Sequence, residues 1–348
     1  MKIGKHKIGI KYTPKIVAEM SGNHKQSLSR SLKLVDIALK SGAHFLKLQT
    51  FKPESMTINS KNKQFIVKNP NSLWDKNSLF NLYKKSAMPW EWQKKIILKC
   101  KKNGLECFSS PFDKESFEFL ESLNVPAYKI ASFEITHLPL IDMVSKSKKP
   151  IIISTGMASK KEISQAIKVV KKNNNNKIIL MKCTSNYPSE PSEANLKTIV
   201  NMRRTFNCEI GLSDHTIGIG TSIASVAYGA SIIEKHFTIN NNDGAVDSKF
   251  SMEPKQLKQL VNETNNAWHS KGHIKYGTSS RNENKNKIFR RSVFTKKELK
   301  KNHIIKIDDL IILRPKIGLE PNQLNRIVGK KITRDLKKFS SIKAKLIK

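Results

Sequence analysis

Residue types with chemical potential concentrate near the ends of short β-prone runs. His215 follows CEIGL at 208–212, and His236 closes SIIEKHF at 231–237. In a parallel βα array the carboxyl ends of the strands and the loops after them build the active site. Neighbouring strands would therefore present two imidazoles to one place. With Asp214 and Glu234 close in sequence, the pair suits a divalent metal. Two protein ligands leave coordination positions open, as a catalytic ion requires. The alternative is two unrelated histidines near a rim.

A second group is suited to an anion. In FLKLQT at 45–50, Lys47 and Gln49 share a face, because alternate strand residues point the same way. Lys129 lies in AYKIAS at 127–132, Glu134 just follows it, and Glu19 falls near the end of KIVAEM at 15–20. Two lysines converging from different strands suit a phosphate or carboxylate. Internal salt bridging, such as Lys47 with Glu19, is the plainer account. Ser110, Ser132, Ser185 and Ser213 stand at the ends of four runs. Any one of them could be a turn residue or helix N-cap. Four beside two lysines point to a phosphorylated substrate next to a metal. GIG at 218–220 reads better as a tight βα turn than as a phosphate loop. Asp243 and Asp247, in DGAVDSKFS, belong to a rim loop.

These residues need a scaffold of alternating strands and helices. Eight candidate strands occur, the remaining ones being LECFSS at 105–110, PIIIST at 150–155 and KIILMKCT at 177–184. Helical patterns separate most of them. After the first strand, for example, Leu28, Leu32, Val35 and Leu39 recur at helical spacing and Gly42 marks the stop. Strand alternating with helix eight times predicts an α/β fold, a (β/α)8 TIM barrel. A doubly wound sheet is the alternative, but no GxGxxG follows the first strand. The stretch from PESM to WEW, between the second and third strands, is too long for one βα connection. Such an insertion sits over the mouth of the site and shapes substrate choice.

The predicted boundaries are a barrel domain over 1–270, a polar linker over 271–287 and a small β-rich domain over 288–348. The last is small enough to need a partner surface. Four cysteines without CxxC spacing suggest free thiols in a reducing, cytoplasmic setting. The sequence shows neither a membrane span nor a signal peptide. A net charge of +36, from 64 Lys+Arg against 28 Asp+Glu, raises a nucleic-acid hypothesis. The lysines are spread through the chain, Asn is abundant as in KKNNNNK at 171–177, and no RRM, KH or zinc-finger spacing occurs. The expectation is no nucleic-acid partner, with the basic field drawing in an anionic small substrate.

In order, KLQTF, FSSPFD, KIASFEI, STGMAS, KCTSNYP, GLSDHTIGI and IIEKHFT resemble the motifs of the sialic acid synthase family. The run RSVF…DDLIILRPKIGLEP…GKKI resembles the antifreeze-like (SAF, β-clip) domain attached to those enzymes. The resemblance covers nearly the whole chain. It implies condensation of phosphoenolpyruvate with an N-acetylated amino sugar, a divalent cation (Mn2+, Mg2+ or Co2+ left open) and a domain-swapped homodimer. LWDK at 73–76, ASFE, KCTSNYP and DSKFSMEP resemble the branch that makes pseudaminic acid rather than N-acetylneuraminate. Trp74 stands where neuraminate enzymes tend to place an amide that touches the sugar. The implied acceptor is a 2,4-diacetamido-2,4,6-trideoxyhexose of the L-altrose type.

Carried over by motif, His215 and His236 would hold the metal. Lys47, Ser110, Lys129, Ser132, Ser185 and Ser213 would hold phosphoenolpyruvate, and Glu19 and Gln49 would position water and the reacting carbons. Glu134, Tyr187 and Asp247 would bind the sugar, and Arg314 would reach its N-acyl group from the partner subunit. The resemblance gives the cysteines no role. The rivals are a synthase of N-acetylneuraminate or legionaminate, a barrel aldolase with Lys129 or Lys182 as Schiff base, and a basic nucleic-acid-binding protein.

Overall fold

Eight β-prone segments become the staves of a closed parallel barrel. In the computed structural model, which describes residues 1–70 and 73–348, a two-stranded hairpin of β1 (Lys2–Ile3) and β2 (His6–Lys7) comes first. The barrel strands follow: β3 (Lys15–Glu19), β4 (Phe45–Thr50), β5 (Glu106–Pro111), β6 (Tyr128–Ile130), β7 (Ile151–Ser154), β8 (Ile178–Cys183), β9 (Glu209–Asp214) and β10 (Ile232–His236). They pair in sequence order, and β10 closes on β3, with His236 opposite Glu19. Each strand coincides, within a residue or two, with a run expected from the sequence.

Alternation along the strands divides the apolar residues into two cores. One set, including Val17, Phe45, Phe108, Ile152, Ile179 and Ile232, forms a buried cluster that Ile3 and Ile8 join from the hairpin side. This cluster fills the amino-terminal half of the barrel and closes that end. The other set, including Ile16, Leu46, Leu48, Ile153, Leu180 and Ile233, packs against the surrounding helices.

The helices form where the pattern and caps allow. Leu28–Lys40 is capped by the Ser27 hydroxyl, which accepts from the Arg30 N–H. Its buried stripe runs through Ser31, Leu34, Val35 and Ala38, with Leu32 and Leu39 only flanking it. The apolar count from sequence places that face about one step to the side. Gly42, at φ +77°, turns the chain after the helix. The insertion carries two short helices, Pro53–Met56 and Leu79–Ser86.

The chain divides into two units, Met1–Lys271 and Gly272–Lys348. The second has its own apolar cluster, including Val293, Leu299, Ile305, Ile332 and Ile342. It is built around β11 (Ser292–Thr295) paired antiparallel with β12 (Leu310–Leu313). A short helix, Arg281–Lys285, forms within the polar 271–287 stretch. Among the described residues no helix is long and apolar enough to cross a membrane.

Candidate active site

Above the apolar half of the barrel, the inward positions turn polar. Lys47 Nζ lies 2.8 Å from Glu19 Oε2 and 3.6 Å from Glu234 Oε1. Lys129 Nζ lies 3.8 Å from the same Glu234 oxygen and donates to Ser154 Oγ at 2.6 Å. Ser213 donates to Glu234 Oε1 at 3.2 Å, and Gln49 donates to Glu19 Oε1 at 3.3 Å. All four charged groups are buried. The salt bridge expected between Lys47 and Glu19 is therefore present, but the pair belongs to a larger array that also takes in Lys129 and Glu234.

Charges this deep perturb one another. Burial raises the Glu19 carboxyl to about 7, with the nearby Glu234 adding to the shift and Lys47 opposing it. Burial also disfavours the Glu234 carboxylate, but Lys129 and Lys47 outweigh it and hold its pKa below the usual value. The array thus has one carboxylate fixed in its charged form and one poised near neutrality, a division that suits acid–base work.

The two histidines meet beside this array, with ring centroids 5.4 Å apart. His215 Nδ1 lies 2.6 Å from the Thr184 carbonyl oxygen. Burial disfavours the charged ring, but the Cys183 thiol, which hydrogen-bonds to it, and the Thr184 carbonyl outweigh that and raise the His215 pKa. His236 Nδ1 is buried without a hydrogen-bond partner among the described residues, and Asp247 Oδ2 stays 3.9 Å away. Burial, with His215 next to it, holds His236 well below the usual imidazole pKa, so its ring is neutral. Two adjacent imidazoles fit a divalent cation once the His215 ring is neutral and exchanges Cys183 for the ion. Among the described residues no group of three or more His, Cys, Asp or Glu is arranged to hold one. Asp214, expected near this centre from its place in the sequence, faces away from it. It lies 2.9 Å from Lys235 on the outside of the wall, because strand alternation turns it opposite to Ser213 and His215.

Lys47, Gln49, Lys129, Ser132, Glu134, Tyr187, Ser213, His215, His236 and Asp247 line one cavity of about 390 Å³. Glu19 is fully buried behind Lys47. Ser185 reaches Ser132, with hydroxyls 3.1 Å apart. Ser110 is opposite Gln49 in the sheet, and its buried hydroxyl has no partner among the described residues. Tyr187 packs against His215 with ring centroids 4.2 Å apart and the planes tilted by 37°. Asp247 accepts from the Gly22 N–H at 3.2 Å, and burial raises its pKa. Glu134 is half-buried, and burial raises its carboxyl too. Arg314 belongs to the second unit, where it is exposed.

Three further residues of the site, Ser154, Cys183 and Gly156, received no role from the sequence, and Glu234 was placed only beside the expected metal. Ser154 holds Lys129. Glu234 bridges both lysines, although its shared face with His236 was legible. Cys183 lines the cavity, whereas Lys182 beside it does not. At Gly156, φ +38°, a Cβ would stand 2.5 Å from Ser185 Oγ and 2.6 Å from Ser132 Cβ. Only glycine leaves that space open. Ser154 and Gly156 both fall in the STGMAS run, so the rule that polar residues at strand ends face the site could have found Ser154.

The outer wall is apolar. Met56, Val67, Trp74, Leu82 and Tyr83 reach the cavity from the insertion, and Phe51, Phe112 and Val246 complete it. Trp74 Nε1 donates to the Val246 carbonyl at 3.3 Å, and its ring lies 5.7 Å from Tyr187. The insertion therefore does cover the mouth.

The NeuB family profile matches residues 34–276, and the SAF domain profile matches residues 290–348. The pseudaminic acid synthase of Helicobacter pylori is 40% identical over 331 residues, which is 95% of this chain and 97% of that protein. The N,N'-diacetyllegionaminic acid synthase of Campylobacter jejuni subsp. jejuni serotype O:2 is 37% identical over 331 residues, 94% of this chain and 98% of its own. The crystal structure of N-acetylneuraminic acid synthetase from Leptospira borgpetersenii serovar Hardjo-bovis, in complex with citrate, superposes with a TM-score of 0.72 at 30% identity, covering 82% of this chain and 94% of that one. With a matched profile, near full-length relatives and a barrel whose polar end gathers the motif residues, the chain belongs to the NeuB family.

Proposed function

We propose that this chain condenses phosphoenolpyruvate with 2,4-diacetamido-2,4,6-trideoxy-L-altrose and water to give pseudaminic acid and phosphate. The observation that carries the reading is the convergence of two buried ammonium groups, a row of hydroxyls and a pair of imidazoles on one cavity. The relatives named pseudaminic acid synthase and the LWDK, ASFE and KCTSNYP runs favour this acceptor over those of the legionaminate and neuraminate enzymes.

In this reading Lys47 and Lys129 hold the anionic groups of phosphoenolpyruvate, with Ser110, Ser132, Ser185 and Ser213 donating to its oxygens. His215 and His236 hold a divalent cation, whose chemistry when bound is Lewis-acid polarisation of the open-chain sugar's aldehyde. The methylene carbon of phosphoenolpyruvate attacks the aldehyde carbon, the carbonyl π electrons pass to its oxygen, which takes up a proton to become the product hydroxyl, and positive charge develops at the enol carbon. Glu19, with Gln49 beside it, orients the water that adds there and takes its proton. The tetrahedral adduct expels phosphate by C–O cleavage, and the lysines and hydroxyls steady the departing charge. Glu134, Tyr187 and Asp247 bind the sugar. The partner subunit's Arg314 reaches its N-acyl group in a domain-swapped homodimer, a role supported by the exposure of that side chain. A cytoplasmic location goes with this reading and with four free cysteines.

The test is phosphate release from phosphoenolpyruvate with a panel of amino sugars, with and without chelator, and mass spectrometry of the products. The altrose-type acceptor should give the highest kcat/KM and chelator should stop release. Preference for a mannose-type acceptor would overturn the substrate assignment, and full activity after chelation would overturn the metal.

A further inference from the structure

Strands β9 and β10 carry a ladder of three cross-strand pairs. Glu234 is opposite Ser213, and Lys235 is opposite Asp214. The first pair faces inward, with a hydrogen bond of 3.2 Å. The next faces outward, with Lys235 Nζ 2.9 Å from Asp214 Oδ2. Immediately beyond it, facing inward again, come His215 and His236.

The outward pair is almost sealed from solvent, at 3% exposure for Asp214 and 1% for Lys235. Its hydrogen-bonding capacity is filled from the surroundings. Asp214 Oδ1 accepts from the Thr216 N–H at 2.9 Å and the Thr216 hydroxyl at 2.8 Å. Asp214 Oδ2 accepts from the Ser222 hydroxyl at 2.5 Å, and Lys235 Nζ also donates to the Thr216 carbonyl at 2.5 Å. None of these four residues lines the cavity. Burying a charge pair is a poor way to stabilise a fold, since an apolar pair of similar volume often does as well or better. What the charged pair adds is direction: each of its atoms is held at a fixed hydrogen-bond geometry. Thr216 ties it to the loop after His215, and Ser222 ties it to helix Gly220–Ala227.

We propose that Asp214 and Lys235 are positioning residues, a staple on the outer face of the barrel that sets the spacing of His215 and His236 for one cation. This role rests on the reading of the two histidines as metal ligands.

The experiment is a calorimetric titration of the full chain with Mn2+, alongside thermal unfolding and the dependence of kcat on Mn2+ concentration. Asp214→Asn should weaken Mn2+ binding by about tenfold, the low end of the range for groups that touch the ligands directly, because Asp214 acts through the backbone on either side of them. Excess Mn2+ should restore most of kcat, while the KM for phosphoenolpyruvate changes little. Ser222→Ala removes one charge-assisted hydrogen bond to the staple and is the variant that should fold regardless; a loss of Mn2+ affinity smaller than that of Asp214→Asn is expected, since the Thr216 and Lys235 bonds to the carboxylate remain. Reduced thermal stability with wild-type Mn2+ affinity in the folded variants would overturn the positioning role and leave the metal reading intact. Wild-type protein that binds no Mn2+, or binds it equally after His215→Ala, would overturn both.

Discussion

The hydroxyls of Ser132 and Ser185 lie 3.1 Å apart, and Gly156 passes directly beneath them. A methyl group at Gly156 would fall within 2.6 Å of both side chains, and the backbone there has φ +38°, a value costly for L residues. Gly156→Ala should therefore raise the KM for phosphoenolpyruvate by about tenfold or more while leaving that of the sugar less affected, as expected when a contact specific to one substrate is lost. Steady-state kinetics with each substrate varied in turn decides it.

The paired imidazoles are the second point of attack. His215→Ala and His236→Ala should each lower kcat by at least about 100-fold, the scale of losing a metal's Lewis acidity. Both proteins should melt near the wild-type temperature, because neither ring belongs to the apolar clusters that hold the barrel. Calorimetric binding of Mn2+ should vanish in parallel.

Glu19 gives the pH dependence its sign. As the proposed base for the attacking water Glu19 must be ionised, and burial raises that carboxyl to about 7. Activity should climb as pH rises toward about 7 and level off above it, falling about tenfold per unit on the acid side. Glu19→Gln should abolish that limb together with most of the turnover. The same shift acts on stability. The native state holds this proton more tightly than the unfolded chain, where Glu titrates near about 4.3. The stability Glu19 contributes is whole below that value and is lost as pH rises through about 7.

Arg314→Ala separates the two substrates. If its guanidinium recognises the sugar's N-acyl group, the variant should raise the sugar KM by roughly tenfold and leave that for phosphoenolpyruvate within about twofold. The reverse ordering in a two-substrate kinetic matrix would refute the assignment.

Much of the barrel was legible because its code is local. Each strand is a short apolar run ending in polar residues, and the inward turn of Lys47, Gln49, Glu234 and His236 follows from period-two alternation alone. What escaped were relations between segments far apart in the chain. Nothing in STGMAS says that Ser154 will hold Lys129 or that Gly156 will clear space for two serines. Asp214 shows the same limit: its nearness to His215 in sequence suggested a ligand, yet the alternation that brings the histidine in sends the aspartate out. The hairpin Lys2–Ile3 and His6–Lys7 was invisible because two-residue strands carry no periodicity. Its apolar residues matter only once there is a barrel end for them to fill.

That stopper has a kinetic corollary. With Ile3 and Ile8 packed into the far end, the cavity among the described residues lies toward the side that Trp74 and Tyr83 line. In the proposed reaction phosphoenolpyruvate, resting deepest on Lys47 and Lys129, should therefore bind before the sugar, and the phosphate it releases should leave after the sugar acid. As a product inhibitor, phosphate should accordingly compete with phosphoenolpyruvate but not with the sugar.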